Sequence, residues 1–200
     1  MLSPHWSECH FVVLDVEGNG GSPQEIVEVA VVHILDGQLK TARDWKVRPQ
    51  IPVTPQATRL HGISNGDLVN QPRFTQIAHE LQAELDSATI VGHHVGVDLS
   101  LLKRQLPDWR PGTCIDTLRL ARHVFPEIGS YTLGALYKHV GGDDSSTRHR
   151  AKEDARMTAR LFLTLASKLS QTTHLDLLLL ARLGSSQDDP ILQAQQGSLF

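Results

Sequence analysis

The chain has 200 residues, of which 40% are hydrophobic, and a formal net charge of -3 at pH 7. This length and apolar content favour a single domain with a sizeable core. The acidic charge argues against a broad basic surface for duplex nucleic acid but does not exclude contact with a single-stranded end.

The cysteine content and the lack of long apolar stretches indicate the cellular compartment of the protein. Cys9 and Cys114 lie in separate regions with no metal-ligand spacing, which argues against a disulfide framework and for a reducing cytoplasm. No stretch reaches the roughly 18 consecutive apolar residues of a membrane span. We therefore expect a soluble, cytoplasmic protein without a membrane partner.

The first part of the chain is predicted to form three antiparallel strands. Residues 11–20, FVVLDVEGNG, begin as an apolar strand, and the β-branched run 25–34 is a second. The dipeptide Asp36-Gly37 favours a hairpin turn to a third strand that starts at Gln38. The three prolines in residues 49–64 predict a long loop after it.

Helices and strands alternate in the rest of the chain. Residues 73–85 have the apolar spacing of a helix, 88–93 form a short buried strand, and further helices are predicted in 97–106, 131–140 and 151–170. Residues 113–125 are predicted to start as a strand or loop and to become helical. The alternation predicts an α/β fold with a mixed sheet of about five strands flanked by helices. From Gly184 the composition turns polar, so we expect a domain over 1–183 and a flexible tail over 184–200.

Two acids end the first predicted strand. Side chains two positions apart on a strand share a face, so Asp15 and Glu17 lie together while Val16 points away. Neighbouring buried carboxylates repel each other and lose hydration unless a cation or hydrogen-bond donors compensate, which favours a divalent metal. The alternative is a hairpin at Gly18, Asn19 and Gly20 with both acids solvated at its mouth.

Three polar residues stand out later in the chain. Asp98 follows a strand-to-helix junction, where open α/β sheets tend to carry functional groups. Asp154 lies one turn into the longest helix, and for both acids the helix dipole alone is an alternative explanation. His149 lies too far round a helix to stack on Asp154 and is expected in the preceding loop, where a lone histidine is usually solvated.

Taken together, these motifs resemble the DEDDh family of 3′-to-5′ exonucleases, which includes the bacterial proofreading epsilon subunit and ribonuclease T. The motifs are D-x-E on the first strand, GHxxxxD at the strand-to-helix junction and HRAKED before the longest helix, and the resemblance runs from about Phe11 to Leu169. It implies a ribonuclease-H-like fold, with metal-binding carboxylates at Asp15, Glu17, Asp98 and Asp154 and a general base at His149.

Elementary chemistry agrees with the role that the resemblance implies. Four converging carboxylates need about two divalent cations, and hard oxygen ligands favour Mg²⁺ or Mn²⁺ over zinc. Two ions roughly 3.5 to 4 Å apart can activate a water and stabilise the leaving 3′ oxygen. A histidine is suited to accepting the proton of that water near neutral pH.

Some segments depart from the family pattern in ways that bear on substrate choice. Gly18, Asn19 and Gly20 stand where the family commonly has Thr-Thr-Gly, His94 replaces a common asparagine, and Val97 replaces a common phenylalanine. The resemblance implies substrate contacts at Gly18, Leu60, His61, Gly62, Ile63 and His94. For the loop of residues 60–63, an ordinary turn is the alternative.

The last five residues, QGSLF, resemble the short peptide by which bacterial replication and repair proteins bind the sliding clamp. Gln196, Leu199 and Phe200 take the anchoring positions, and Gly197 replaces a usual leucine. Such a peptide on a flexible tail suits a small hydrophobic pocket. A random tail, or a Leu-Phe pair folded onto the core, is the alternative.

The sequence therefore predicts a metal-dependent exonuclease that acts on single-stranded 3′ ends, of DNA, in proofreading or repair. A sliding clamp and a polymerase are the expected protein partners. Two alternatives stay open: an RNA 3′-end trimming exoribonuclease, and a nucleic-acid-end or clamp-binding module without catalysis.

Overall fold

A single mixed sheet organises the protein, whose computed structural model describes residues 3–86, 88–143 and 149–185. Its strands are β1 (Phe11–Gly18), β2 (Ile26–Leu35), β3 (Gln38–Lys46), β4 (Thr89–Gly92) and β5 (Cys114–Asp116). The order across the sheet is β3-β2-β1-β4-β5. The first three strands are antiparallel, whereas β4 and β5 run parallel to β1. The predicted mixed sheet of five strands is confirmed.

Eight helices flank this sheet within the described residues. They are α1 (Pro55–His61), α2 (Asn65–Leu68), α3 (Phe74–Leu85), α4 (Gly96–Gln105), α5 (Thr117–Val124), α6 (Leu133–His139), α7 (Ala151–Ser170) and α8 (Leu177–Gly184). The helices predicted from residue 73 onward are confirmed. None of the described helices combines the length and the apolar content that crossing a membrane requires.

The turn between β2 and β3 follows the predicted hairpin chemistry. Asp36 and Gly37 have φ angles of 53° and 65°. A two-residue turn with positive φ at both positions is the type that matches the twist of an antiparallel pair.

The long loop predicted for residues 49–64 is wrong in its second half, which forms α1. The Thr54 side chain accepts a hydrogen bond from the backbone N–H of Ala57, and Pro55 occupies the first helical position. A proline there loses no hydrogen bond, because the first N–H groups of a helix have no partner within it. The prolines that argued against further sheet therefore do not argue against a helix.

The two faces of the sheet bury separate apolar clusters. Phe11 and Val13 of β1 pack on the side of α7, and Val12 and Leu14 pack on the side of α3 and α4. Helix α7 lies across β1 and β2. Ala151, Ala155 and Ala159 of α7 are all fully buried against that face, because small side chains let the helix approach the strands closely.

The beginning of the described chain is joined to the segment that enters α8 by backbone hydrogen bonds. The N–H of Trp6 donates to the carbonyl of Leu175 at 3.0 Å, and the N–H of Leu177 donates to the carbonyl of Pro4 at 3.0 Å. The segment before β1 therefore packs beside the start of α8.

Candidate active site

The carboxylates of Asp15 and Glu17 lie on the face of the sheet that α7 covers. They continue the side of β1 that carries Phe11 and Val13, whereas Val16 packs on the opposite face. The predicted common face of the two acids is therefore confirmed. Burial raises the pKa of Asp15 well above its usual value and that of Glu17 to about 8. The alternative of two solvated acids at a hairpin mouth does not fit this burial.

Asp98 joins the first turn of α4 to β1. Its side chain is 7% exposed, and its Oδ1 accepts the backbone N–H of Val16 at 2.9 Å. The pKa of Asp98 is raised to about 7, chiefly by burial and also by the charge of Asp116, although the backbone N–H groups of Asp98 and Val16 act to lower it. A buried acid bonded to β1, 82 positions earlier in the chain, does more than complement a helix dipole.

His149 and Asp154 approach the same place from the start of α7. The backbone N–H of His149 donates to Oδ2 of Asp154 at 3.1 Å, and His149 has a φ of 59° in the segment before the helix. One ligand atom each of Glu17, His149 and Asp154 lies within 4.8 Å of the other two. The His149 side chain is exposed, so it has access both to solvent and to this cluster.

The carboxylates interact as one electrostatic group. The pKa of Asp15 is raised first by burial and then by the charges of Asp98, Asp154 and Glu17. The pKa of Glu17 is raised by burial and then by Asp154 and Glu28. Such a group is stabilised either by bound protons or by a cation that replaces them. The donor set is rich in carboxylate oxygen and so fits a hard divalent cation.

Glu28 and Arg150 form a buried ion pair beside this cluster that the sequence reasoning missed. Glu28 is fully buried in β2, directly opposite Glu17. Its carboxylate accepts Nη2 of Arg150 at 2.8 Å, Nε of Arg150 at 3.2 Å and the backbone N–H of Ala151 at 2.9 Å. This pair fixes the start of α7 to the sheet. A single acid within the apolar run IVEVAVV was the signal that could have indicated it.

Asn19 explains the departure from Thr-Thr-Gly after the glutamate. Its side chain is fully buried, and its Oδ1 accepts the backbone N–H groups of Gly21 at 3.0 Å and Glu25 at 2.9 Å. Its Nδ2 donates to the carbonyl of Ile51 at 3.0 Å. Asn19 therefore holds the connection after β1 together from inside.

The loop of residues 60–63 divides into exposed and buried positions. Leu60 is 56% exposed and Gly62 is also exposed, whereas His61 and Ile63 are buried. The backbone N–H of Ile63 donates to Nδ1 of His61 at 3.0 Å, so Nε2 carries the proton and faces the carbonyl of Gly18 at 3.3 Å. His61 and Ile63 thus support the loop, and Leu60 and Gly62 form its surface.

His94 lies exposed at the end of β4 with a φ of 61°. Its backbone N–H donates to Oδ1 of Asp116 at 2.9 Å, and the same oxygen accepts the N–H of Leu118 at the start of α5. Val97, three residues later, is 52% exposed. The tail residues Gln196, Leu199 and Phe200 lie outside the described residues.

Comparisons with known proteins agree with this geometry. The exonuclease family model RNase_T matches residues 12–162. The chain is 34% identical to the 3′-5′ exonuclease DinG of Bacillus subtilis over 86% of its own length, but it spans only 19% of that relative. It is 29% identical to the DNA polymerase III subunit epsilon of Aquifex aeolicus, covering 80% of this chain and 81% of that one.

Among solved structures, Exonuclease X in complex with 5′ overhanging duplex DNA superimposes with a TM-score of 0.64 at 30% identity. That match covers 82% of this chain and 95% of the other. The shared fold therefore extends over nearly the whole of a solved exonuclease. The chain belongs to the DEDDh family of 3′-to-5′ exonucleases, with the ribonuclease-H-like fold that its motifs imply.

Proposed function

We propose that this chain removes nucleotides from single-stranded 3′ ends of DNA, in proofreading or repair. The observation that carries the proposal is the acidic cluster, in which one ligand atom each of Glu17, His149 and Asp154 lies within 4.8 Å of the other two. Burial and neighbouring charges raise the pKa values of Asp15, Glu17 and Asp98 beside it. The epsilon relative belongs to a DNA polymerase, and the Exonuclease X structure contains DNA. Both support DNA over RNA.

The proposed cofactor is a pair of divalent ions, Mg²⁺ or Mn²⁺, held by Asp15, Glu17, Asp98 and Asp154. Carboxylate oxygens are the ligands that these hard cations prefer. When bound, the ions supply Lewis-acid activation of the attacking water and of the scissile phosphate. Without them, the carboxylates have to retain protons to offset their mutual repulsion.

His149 is the proposed general base. Its exposed ring lies within 4.8 Å of ligand atoms of Glu17 and Asp154, close enough to take the proton of a water held at that cluster. The hydrogen bond from its backbone to Asp154 ties the base to a proposed metal ligand. The proton then leaves to solvent from the exposed imidazole.

The proposed substrate contacts are Gly18, Leu60, His61, Gly62, Ile63 and His94. Leu60 offers an exposed apolar surface to the terminal base, with Gly62 beside it, and His94 offers a polar ring at the end of β4. His61 and Ile63 act from inside by supporting the loop, and His61 also holds the carbonyl of Gly18.

The first experiment is digestion of a 5′-labelled single-stranded DNA oligonucleotide with Mg²⁺ or Mn²⁺, beside matched RNA. We expect a ladder that shortens from the 3′ end and disappears with EDTA or in Asp154→Asn. Asp108→Asn, an exposed acid outside the cluster, is the matched control and should cleave normally. Faster cleavage of RNA would favour the trimming exoribonuclease, and binding of 3′ ends without cleavage would favour the non-catalytic module.

The proposal also includes the protein partners, the division of the chain and its location. The epsilon relative supports a polymerase partner. The expected boundary between a domain over 1–183 and a tail over 184–200 is two residues too early, because Gly184 ends α8 and Ser185 is buried. The residues after Ser185 are proposed as a tail that binds a sliding clamp through Gln196, Leu199 and Phe200, following a catalytic domain in the cytoplasm. Immobilised clamp should retain the protein but not its Leu199→Ala/Phe200→Ala variant, and equal retention of both would contradict the tail assignment.

A further inference from the structure

A cleft between α4, α5 and α8 concentrates positive charge in an otherwise acidic protein. Its volume is about 880 Å³, and its walls carry Arg119, Arg122, His123, Arg182 and His94. The whole chain has a net charge of -3, so this concentration is not a property of the surface in general. The proposed catalytic residues do not line this cleft.

The spacing of the cations on α5 gives the cleft one basic wall. Arg119, Arg122 and His123 are exposed and follow each other at helical positions i, i+3 and i+4, so they share a face. Leu120 and Ala121 between them are fully buried and attach the opposite face of α5 to the core. Helix α5 therefore presents its cations outward from a fixed support.

Contacts of the guanidinium groups orient two of these side chains. Nη1 of Arg119 donates to the carbonyl of Ser185 at 3.0 Å. The guanidinium of Arg122 lies 5.6 Å from the ring centroid of Tyr131. A guanidinium that is already oriented loses less side-chain entropy when it binds an anion.

The acidic group in the cleft wall is already occupied by backbone donors. Asp116 is 8% exposed, and its Oδ1 accepts the N–H groups of His94 and Leu118 at 2.9 Å each. Its charge is therefore partly offset, and the guanidinium groups determine the sign of the potential in the cleft. Such a site selects an anion.

The cleft lies along the same edge of the sheet as the acidic cluster. Strands β1, β4 and β5 are parallel, so their carboxyl ends meet at this edge. Gly96 lines the cleft, and Asp98 follows two residues later in the first turn of α4. Two strand spacings separate β1 from β5, a distance of about 10 Å or about three nucleotides of a stacked strand.

We propose that the α4–α5–α8 cleft binds the phosphate backbone of the substrate strand about three nucleotides inside its 3′ end. The inference rests on the proposed function and deepens it. Arginine pairs with phosphate through two parallel hydrogen bonds, and positively charged grooves track single strands without reading their sequence. The cleft thereby holds the strand while the acidic cluster acts on its last bond.

The test compares short and long single-stranded DNA on the full chain with Arg122→Gln and Arg182→Gln, separately and together. For an oligonucleotide of about 20 nucleotides we expect KM to rise about tenfold in the double variant, with kcat unchanged. For a dinucleotide, which is too short to reach the cleft, kcat and KM should both stay at parental values. The slope of log KM against log salt should also flatten for the long substrate.

Lys103→Gln/Arg104→Gln is the matched control, because both side chains are exposed near the end of α4 outside the cleft lining. It should leave the KM of the long substrate unchanged. The proposal would be overturned if the control raised the KM of the long substrate as much as the cleft variants do. It would also be overturned if the cleft variants lost as much activity on the dinucleotide as on the long substrate, or if they left the KM of the long substrate unchanged. Thermal unfolding of each variant identifies any that fail to fold.

A binding measurement separates this proposal from the proposed function. Fluorescence anisotropy with a labelled long oligonucleotide and the Asp154→Asn protein in EDTA does not depend on cleavage. Weaker binding in the cleft variants would support the cleft even if the parent cleaved no DNA. Equal binding of the oligonucleotide by all variants would overturn the proposal that the cleft binds the substrate strand, even if the parent cleaved normally. That result would also be expected if the cleft bound an acidic peptide instead of DNA.

Discussion

Replacing Glu28 tests whether the buried ion pair with Arg150 holds the start of α7. Glu28→Gln keeps the shape of the side chain but can accept at most two of the three hydrogen bonds that Glu28 accepts now, because its NH2 group cannot accept from Arg150. Breaking a buried pair from one side costs about 3 to 5 kcal/mol. Because the side chain of Arg150 is 35% exposed and can regain water, we expect the lower end of that range, about 3 kcal/mol.

The opposite replacement should be more damaging. Arg150→Met leaves Glu28, whose side chain is 1% exposed, as an uncompensated buried charge. We therefore expect a larger loss, about 5 kcal/mol, and a double variant that is more stable than the sum of the two single losses predicts. At about 2 to 4 °C per kcal/mol for a chain of this size, Glu28→Gln should lower Tm by roughly 6 to 12 °C.

Thermal unfolding with and without divalent metal is the assay, together with kcat on single-stranded DNA. The exposed Glu127→Gln is the control and should melt with the parent. A Glu28→Gln protein that melts within about 2 °C of the parent, or an Arg150→Met protein that is the more stable of the two, would refute the reasoning.

The remaining predictions concern the acidic cluster. Asp15→Ala should abolish measurable cleavage by removing a metal ligand, and a variant that cleaves like the parent would contradict the metal assignment. His149→Ala should lower kcat by about 10² to 10⁴ while divalent metal still raises Tm, and an unchanged kcat would exclude it as the base. The metal-free protein should lose stability as pH rises from about 5 to about 8, since Asp98 and Glu17 have pKa values raised to about 7 and about 8, so their protonated forms favour the fold. Melting curves in EDTA that stay constant over this range would contradict that sign, and divalent metal should remove the decline.

The residues that could be predicted from the sequence are those for which the local sequence pattern determines the side of the strand or helix on which the side chain lies. Asp15 and Glu17 share a face because side chains alternate along any strand, and this holds whatever packs on them. Asp98 and Asp154 could be assigned to first turns because junctions and helix starts are local as well. The family motifs added the conclusion that these separate places form one site.

The residues that escaped prediction depend on partners far along the chain. The structural role of Glu28 depends on its ion pair with Arg150, which lies 122 positions later in the chain. His61 ends α1 and Ile63 follows it after Gly62, so their burial depends on what the end of α1 packs against. Asn19 departs from the family pattern, and its side chain forms hydrogen bonds with backbone groups of the connection after β1. Such hydrogen bonds cannot be inferred from the spacing of residues in the sequence.

The hydrogen bonds between the segment before β1 and the start of α8 have a consequence for protein architecture. They hold the first described residues against the segment that enters α8, through Trp6 with Leu175 and Leu177 with Pro4. A larger protein that carries this unit therefore has to keep the residues before β1 as part of it, since a boundary placed at β1 would leave the backbone groups of Leu175 and Leu177 without these partners. Relatives as different in length as DinG and the epsilon subunit illustrate how one nuclease module serves chains of very different sizes.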